Sequence, residues 1–305
     1  MKDFQFDNKR HRVKYCPCKK SNKDGKFVPY KGFEKHGFCH SCSQTFLPKK
    51  ETYKYYKPHS KISAEIDVID TGIFAESHCN YDLNNFVIFL KKKLHTSNAM
   101  ELVRNFYLGT SKKYSGHVIY WQIDEKFQIR TGKIMSYNPE TGKRNQSDYP
   151  RWMHKELGNN MKQCLFGLHL INKYPDKDIH IVESEKTAVL MSYFNPSVMW
   201  LASGGSNGLQ SYKFEALKGR NVCLFPDQGK YELWNTKMNQ LQIEHPSIKF
   251  SPTSIECDSW FKNNEIEKGD DIADCFLKSH RIIKHDKDWE QGEYDQIFKM
   301  EKPPN

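Results

Sequence analysis

No apolar run in this chain of 305 residues approaches the roughly 20 residues that a helix needs to cross a bilayer. A membrane-spanning protein is therefore not expected. The opening residues, Met1-Lys2-Asp3-Phe4, lack the apolar stretch of a secretion signal, which points to a cytoplasmic protein. No internal repeat is visible, so a repeat architecture is not expected either. Acids are in deficit, with 37 Asp+Glu against 47 Lys+Arg and a formal charge of +10. A charge of that sign favours a polyanionic partner, such as nucleic acid. The nine cysteines are an odd number, and four of them crowd near the start. That pattern lacks the pairing of a disulfide framework and suits metal binding in a reducing cytosol.

The crowded cysteines are Cys16-Pro17-Cys18 and Cys39-His40-Ser41-Cys42. In the second pair a two-residue gap lets one turn present both thiolates to one ion, and four thiolates make a closed structural zinc site. Around them, residues 11–47 hold too few apolar side chains to fold by packing alone, so metal binding would have to supply folding energy. The single residue between Cys16 and Cys18 tightens the bite. It leaves those two open as ligands, with His11, His36 and His40 in reserve.

The expected organisation is a zinc-ribbon-like domain over 1–47, a linker over 48–61, a basic α+β middle domain over 62–175, a parallel-sheet core over 176–285 and a tail over 286–305. The linker is polar and bounded by Pro48 and Pro58. Within 80–108, Leu83, Phe86, Val87, Leu90 and Leu94 share one helical face, and Ser97 is placed to cap a second helix. Val118–Ile123 and Phe127–Arg130 flank Asp124-Glu125-Lys126 and read as a hairpin. Arg130, Lys133, Lys143, Arg144 and Arg151 interleave with Tyr120, Trp121, Tyr137 and Trp152. They could hold single-stranded nucleic acid by charge and stacking. Alternatively the aromatics, Trp121 above all, simply fill the core. From 178 onward, strands at Ile179–Val182, Val198–Ala202, Val222–Phe225 and Ser247–Phe250 alternate with helices at 185–194, 209–217, 230–242 and 269–280. Such alternation defines an α/β fold with a mostly parallel sheet.

Two of these strands end in acids, Glu183 and Asp227. Neighbouring strand ends of that kind form the ligand-binding edge of an open α/β sheet, and carboxylate oxygens suit magnesium or manganese. Glu183 closes a strand expected to be buried, where a carboxylate without a partner or metal is expensive. Glu185 stands one step into the next helix and is expected to face solvent as a helix-dipole acid. Lys186 could reach a phosphate or pair with Glu185. Gly204-Gly205-Ser206-Asn207-Gly208 could approach phosphate through backbone amides or serve only as a turn. Asp270 or Asp271 could complete a metal cluster, or cap the following helix with Asp274 in its first turn.

The run Val182-Glu183-Ser184-Glu185-Lys186-Thr187-Ala188, with Phe225-Pro226-Asp227-Gln228-Gly229 behind it, resembles the Toprim domain of bacterial primases, topoisomerases and some nucleases. The order of cysteine cluster, basic middle and acidic core resembles primases of bacteria, phages and plasmids. Three further segments, 119–124, 130–135 and 162–167, extend the resemblance to an uncharacterised family of Toprim-like proteins of mobile genetic elements. Toprim domains usually carry two aspartates separated by one residue where this chain has Asp227-Gln228-Gly229, a variant that looks normal in that family. The resemblance implies a metal-dependent enzyme of replication or mobile-element maintenance, a primase-like nucleotidyltransferase on single-stranded DNA. It would use Glu183, Asp227, Asp270, Asp271 and Lys186, structural zinc, and magnesium or manganese held by Glu183, Asp227 and Asp271. Replication or mobilisation proteins are the expected partners. A Toprim nuclease and a catalytically silent nucleic-acid-binding protein are the alternatives.

Overall fold

In the computed structural model, residues 5–48, 68–158, 161–227, 229–251 and 271–283 are described. The chain divides into two units, residues 1–64 and 65–305.

The first unit carries three short antiparallel strands, β1 (Phe27–Pro29), β2 (Gly37–Cys39) and β3 (Gln44–Phe46), in that order. Gly37 is required by close approach: a Cβ there would sit 2.2 Å from the Val28 carbonyl oxygen. The buried core amounts to Val13, Cys16, Phe27 and Cys39, with Cys18, Cys42 and Phe46 against it. So small a cluster cannot supply much burial free energy, as the sequence suggested.

The second unit begins with α1 (Thr71–Glu76), α2 (Asn85–Lys93) and α3 (Thr96–Asn105). Asn84 caps α2: its side-chain oxygen accepts the Phe86 and Val87 amides, and its Nδ2 donates to the Gly109 carbonyl and Thr110 Oγ1. That buried, doubly used cap is worth about 1 kcal/mol or more. The expected cap at Ser97 is displaced. α3 starts two residues earlier, after His95, whose ring meets the Ser97 hydroxyl instead of a backbone amide.

An antiparallel sheet follows, in the order β4 (Gly109–Thr110), β5 (Val118–Ile123), β6 (Ile129–Met135) and β7 (Arg151–Trp152), with α4 (Met153–Leu157) after it. The expected hairpin is β5–β6, and its second strand runs further than the sequence indicated. Trp121 is fully buried and donates its indole N–H to Ser77 Oγ at 2.9 Å.

The parallel sheet has the order β11 (Lys249–Ser251), β10 (Asn221–Phe225), β8 (Ile179–Val182), β9 (Met199–Ala202). All three pairings are parallel. β8 and β9 are buried along their whole length, as apolar runs covered on both faces should be. α5 (Glu185–Phe194) connects β8 to β9, and α6 (Tyr231–Glu244) connects β10 to β11. The segment read as a helix at 209–217 is a 3-10 helix over Ser211–Leu217. A last helix, α7 (Ile272–Ile283), packs on α5, with Phe276 stacked on Phe194. One continuous apolar cluster joins α2, α3 and β5 to the parallel sheet. From β8 the chain moves to one side of the sheet, and from β10 to the other. Their carboxyl ends therefore flank a topological switch point, where open α/β sheets form their crevice.

Candidate metal centre and acidic cleft

The four cysteines converge. Their Sγ atoms all lie within 4.8 Å of one another, with Cys18 and Cys39 at 4.0 Å. A zinc tetrahedron with bonds of roughly 2.3 Å has edges of about 3.8 Å, so the quartet fits zinc. A tight turn makes the one-residue gap workable. Tyr15 bridges Ser21, the Cys16 amide donates to the Lys20 carbonyl, and Lys19 adopts a left-handed φ of 68°. Ser43, which also follows the second cysteine of its pair, has φ 54°. Burial pushes the Cys16 thiol up, whereas the Cys16 hydrogen bond brings Cys18 down to about 7. No histidine joins the group, so the reserve ligands His11, His36 and His40 are not needed.

At the other site, Val182 pairs with Phe225. Glu183 and Asp227 thus leave neighbouring strand ends one and two residues further on. The hydroxyl of Ser184 accepts the Thr187 amide and starts α5 at once. Asp271, at the start of α7, accepts the Thr187 hydroxyl at 2.6 Å and the Asp274 amide at 3.0 Å. Asp274 accepts the Asp271 amide in return. This reciprocal cap answers one sequence alternative, and the same residues also line the cleft. Asp270 lies outside the described residues.

The cleft encloses about 800 Å³ and brings together Glu183, Lys186, Asp227, Asp271 and Asp274 with Lys133, Lys143 and Arg144. Burial, then Glu183, then Asp271 push the Asp227 carboxyl up to about 8. Glu183 is raised by burial against the Asp227 backbone amide and Lys230. Among the described residues, Glu183 Oε1 is buried with no hydrogen-bond partner. Two adjacent carboxylates that resist ionisation, one with an orphan oxygen, are a donor set that a hard divalent cation would satisfy. Glu183, Asp227 and Asp271 do not close to the spacing of the cysteines, which are the only such group among the described residues.

Several assignments change. Glu185 does not face solvent. It is 1 % exposed and bound by Lys133 Nζ at 2.8 Å, because the antiparallel sheet covers the start of α5. Lys186 pairs with Asp274 at 2.8 Å and Asp271 at 3.8 Å, not with Glu185. Burial alone would depress its pKa, and the two aspartates reverse that. Arg130 binds Asp124 at 2.7 Å and lies away from the cleft. Arg151 binds Asp148 at 2.6 Å and stacks 4.2 Å over Tyr114, also outside it. Tyr120, Trp121 and Tyr137 are core residues, which leaves Trp152 as the partly exposed aromatic of that set. One residue absent from the candidate set lines the cleft, Asp274; Lys213 is buried behind the glycine turn, outside the cleft, with Nζ 3.1 Å from the Ser203 carbonyl oxygen.

Comparison with known proteins gives three findings. Residues 84–228 match the model of a family described as a domain of unknown function, DUF6371. That span includes Glu183, Asp227 and the basic wall, but neither the cysteines nor Asp271. No curated protein matches. Among solved structures, the primase fragment of the bacteriophage T7 primase-helicase is similar at 14% identity and TM-score 0.42, over 86% of this chain and 98% of that one. The E. coli primase catalytic core is similar at 12% identity and TM-score 0.41, over 63% and 74%. The Aquifex aeolicus primase, with its zinc-binding and RNA polymerase domains, is similar at 12% identity and TM-score 0.37, over 75% and 69%. Likeness at these scores carries no argument about activity.

Proposed function

We propose that the chain is a metal-dependent enzyme acting on nucleic acid, with a Toprim-like core and primase-like nucleotidyl transfer templated by single-stranded DNA as its reaction. One observation carries the reading. Glu183 and Asp227, without a described cationic side chain bonded to either, stand at the switch-point ends of β8 and β10 in a cleft whose other wall is basic. Glu183, Asp227 and Asp271 would hold magnesium or manganese, which supplies charge neutralisation at the transferring phosphate. Asp227 would hold the cation as a carboxylate, so binding would be linked to loss of the proton that burial and Glu183 favour in its absence. Lys186 sets the Asp271 and Asp274 carboxylates in place, and Lys143 and Arg144 draw phosphates to the rim. The cysteine quartet would hold a structural zinc. Partners would be single-stranded DNA and proteins of replication or mobile-element transfer.

A catalytically silent nucleic-acid-binding protein is the second reading, favoured by the ion pair that Lys186 makes with Asp271 and Asp274. The test is incubation with single-stranded templates, labelled nucleotides and magnesium or manganese. Product extension that disappears in Glu183→Gln is the expected result. Template degradation lost in the same variant identifies a nuclease, and binding without turnover supports the silent reading. Turnover unchanged in Glu183→Gln removes the acidic pair from catalysis.

A further inference from the structure

The turn Ser203–Gly208 is gripped from the protein side by two buried lysines. Lys213, 4 % exposed, donates to the Ser203 carbonyl at 3.1 Å. Lys133, also buried, donates to the Gly204 carbonyl at 3.2 Å while Glu185 holds its remaining charge. Burying a lysine is costly unless its ammonium is used. Among the described residues, Lys213 has no carboxylate partner. Among those residues its ammonium donates to this turn alone.

The grip has a directional consequence. In a trans peptide the C=O of one residue and the N–H of the next point opposite ways. Holding the Gly204 carbonyl on Lys133 therefore turns the Gly205 amide away from it. The Gly205 carbonyl is likewise occupied, by Ser203 Oγ at 3.0 Å and the Gly208 amide at 2.8 Å, which turns the Ser206 amide outward. Among the described residues, neither amide has an acceptor. The space is open: nothing lies within 4 Å of where a Gly205 Cβ would be, and its φ of 139° is a glycine conformation. Gln122 adds a further donor, a fully buried Nε2 without a described partner, 3.9 Å from where a Gly204 Cβ would be. Gly204 and Gly205 line the acidic cleft beside Glu183.

We propose that Gly205 and Ser206 form a phosphate-binding turn, that Lys133 sets the direction of the Gly205 amide, and that Lys213 is the positioning residue that anchors the turn at its first carbonyl. Consecutive outward amides of this kind are an anion-binding device. The ligand class is a phosphate or polyphosphate group, from a free nucleotide or a nucleic-acid backbone. The inference deepens the reading of the cleft given above, yet phosphate binding here does not require turnover.

The test is 15N-glycine labelling of the full chain, with the Gly205 resonance identified by its loss in Gly205→Ala. Pyrophosphate, ATP and an oligodeoxynucleotide lacking a terminal phosphate are each titrated, with and without magnesium. Shifts of Gly205 with pyrophosphate or ATP support a free-nucleotide source, and shifts with the oligonucleotide a backbone source. Lys213→Met should weaken the effective ligand roughly tenfold, the loss of one charge-assisted hydrogen bond. Because that variant removes a buried group, its zinc content and circular dichroism are measured alongside. Should it fail to fold, the Gly205 response of the unaltered protein still decides. A Gly205 amide indifferent to all three ligands overturns the proposal, as does a folded Lys213→Met protein that binds as tightly as the original. Gly205 shifts without any magnesium-dependent reaction leave the turn standing and remove only the catalytic reading. Turnover with a silent Gly205 does the reverse.

Discussion

Replacing Asp227 by Asn should make the metal-free protein more stable, and by an amount that depends on pH. An aspartate titrates near 3.9 in an unfolded chain but is pushed up to about 8 in the fold, by burial and by Glu183 and Asp271. Between those values the native state keeps a proton that the unfolded state has released. Stability therefore falls as pH rises through about 4 to 8. Four units correspond to a ceiling on the order of 5 kcal/mol. Even a third of that, about 2 kcal/mol, moves the melting midpoint by several degrees in a domain of this size. Asn keeps the shape and cannot ionise, so Asp227→Asn should melt higher than the unaltered protein, by a margin that grows up to about pH 8 and then levels off. Magnesium should invert the ranking. A divalent cation at 100 times its dissociation constant stabilises a binding protein by about 2.7 kcal/mol, and Asp227→Asn should lose most of that gain. Melting curves from pH 5.5 to 9, in magnesium-free buffer and with magnesium, test both halves. Chelator is omitted so that the cysteine site stays intact. An Asp227→Asn protein that melts at or below the original at pH 8.5 without magnesium would refute the like-charge argument. Equal magnesium responses would remove Asp227 from the metal site.

The purified protein should carry one tightly bound zinc, and Cys39→Ser with Cys42→Ser should lose it; elemental analysis checks both. Arg144→Ala should lower the slope of log affinity against log salt for single-stranded DNA by roughly 0.7, one phosphate contact. Arg130→Ala should leave that slope unchanged, since Asp124 already holds the guanidinium; the reverse ranking would move the nucleic-acid track away from the cleft. Lys133→Met strands the Glu185 carboxylate in the interior and should cost about 3–5 kcal/mol. Adding Glu185→Leu should restore most of it, and a denaturant titration in which the double variant is no better than the single one argues that Lys133 acts otherwise.

The sequence disclosed most where a single segment determines its own structure. Ile179–Val182 and Glu185–Phe194 have the bounds expected from sequence, because an apolar run followed by Ser184 at a helix start is both a buried strand and a cap. The hairpin was legible for the same reason, and so was the placement of Glu183 beside Asp227, which follows from strand alternation and parallel pairing. What stayed hidden was decided by distant partners. Glu185 meets a lysine 52 residues away on the antiparallel sheet, so its local setting, one step into a helix, suggested solvent and was misleading. Lys213 depends on a carbonyl in a turn ten residues upstream, and no side-chain pattern encodes a backbone acceptor. Arg130 was readable in principle. A carboxylate six residues earlier across a tight hairpin is within reach, and Asp124 also ties the turn through the Lys126 and Gln128 amides. Counting positive charge without first subtracting such pairs placed two arginines on a nucleic-acid track that the fold commits to internal ion pairs. Lining the cleft are Lys143 and Arg144 at its rim and Glu183 and Asp227 at its floor. A basic rim over an under-neutralised acidic floor attracts a phosphate and a divalent cation together better than either alone, since each lowers the electrostatic cost of the other.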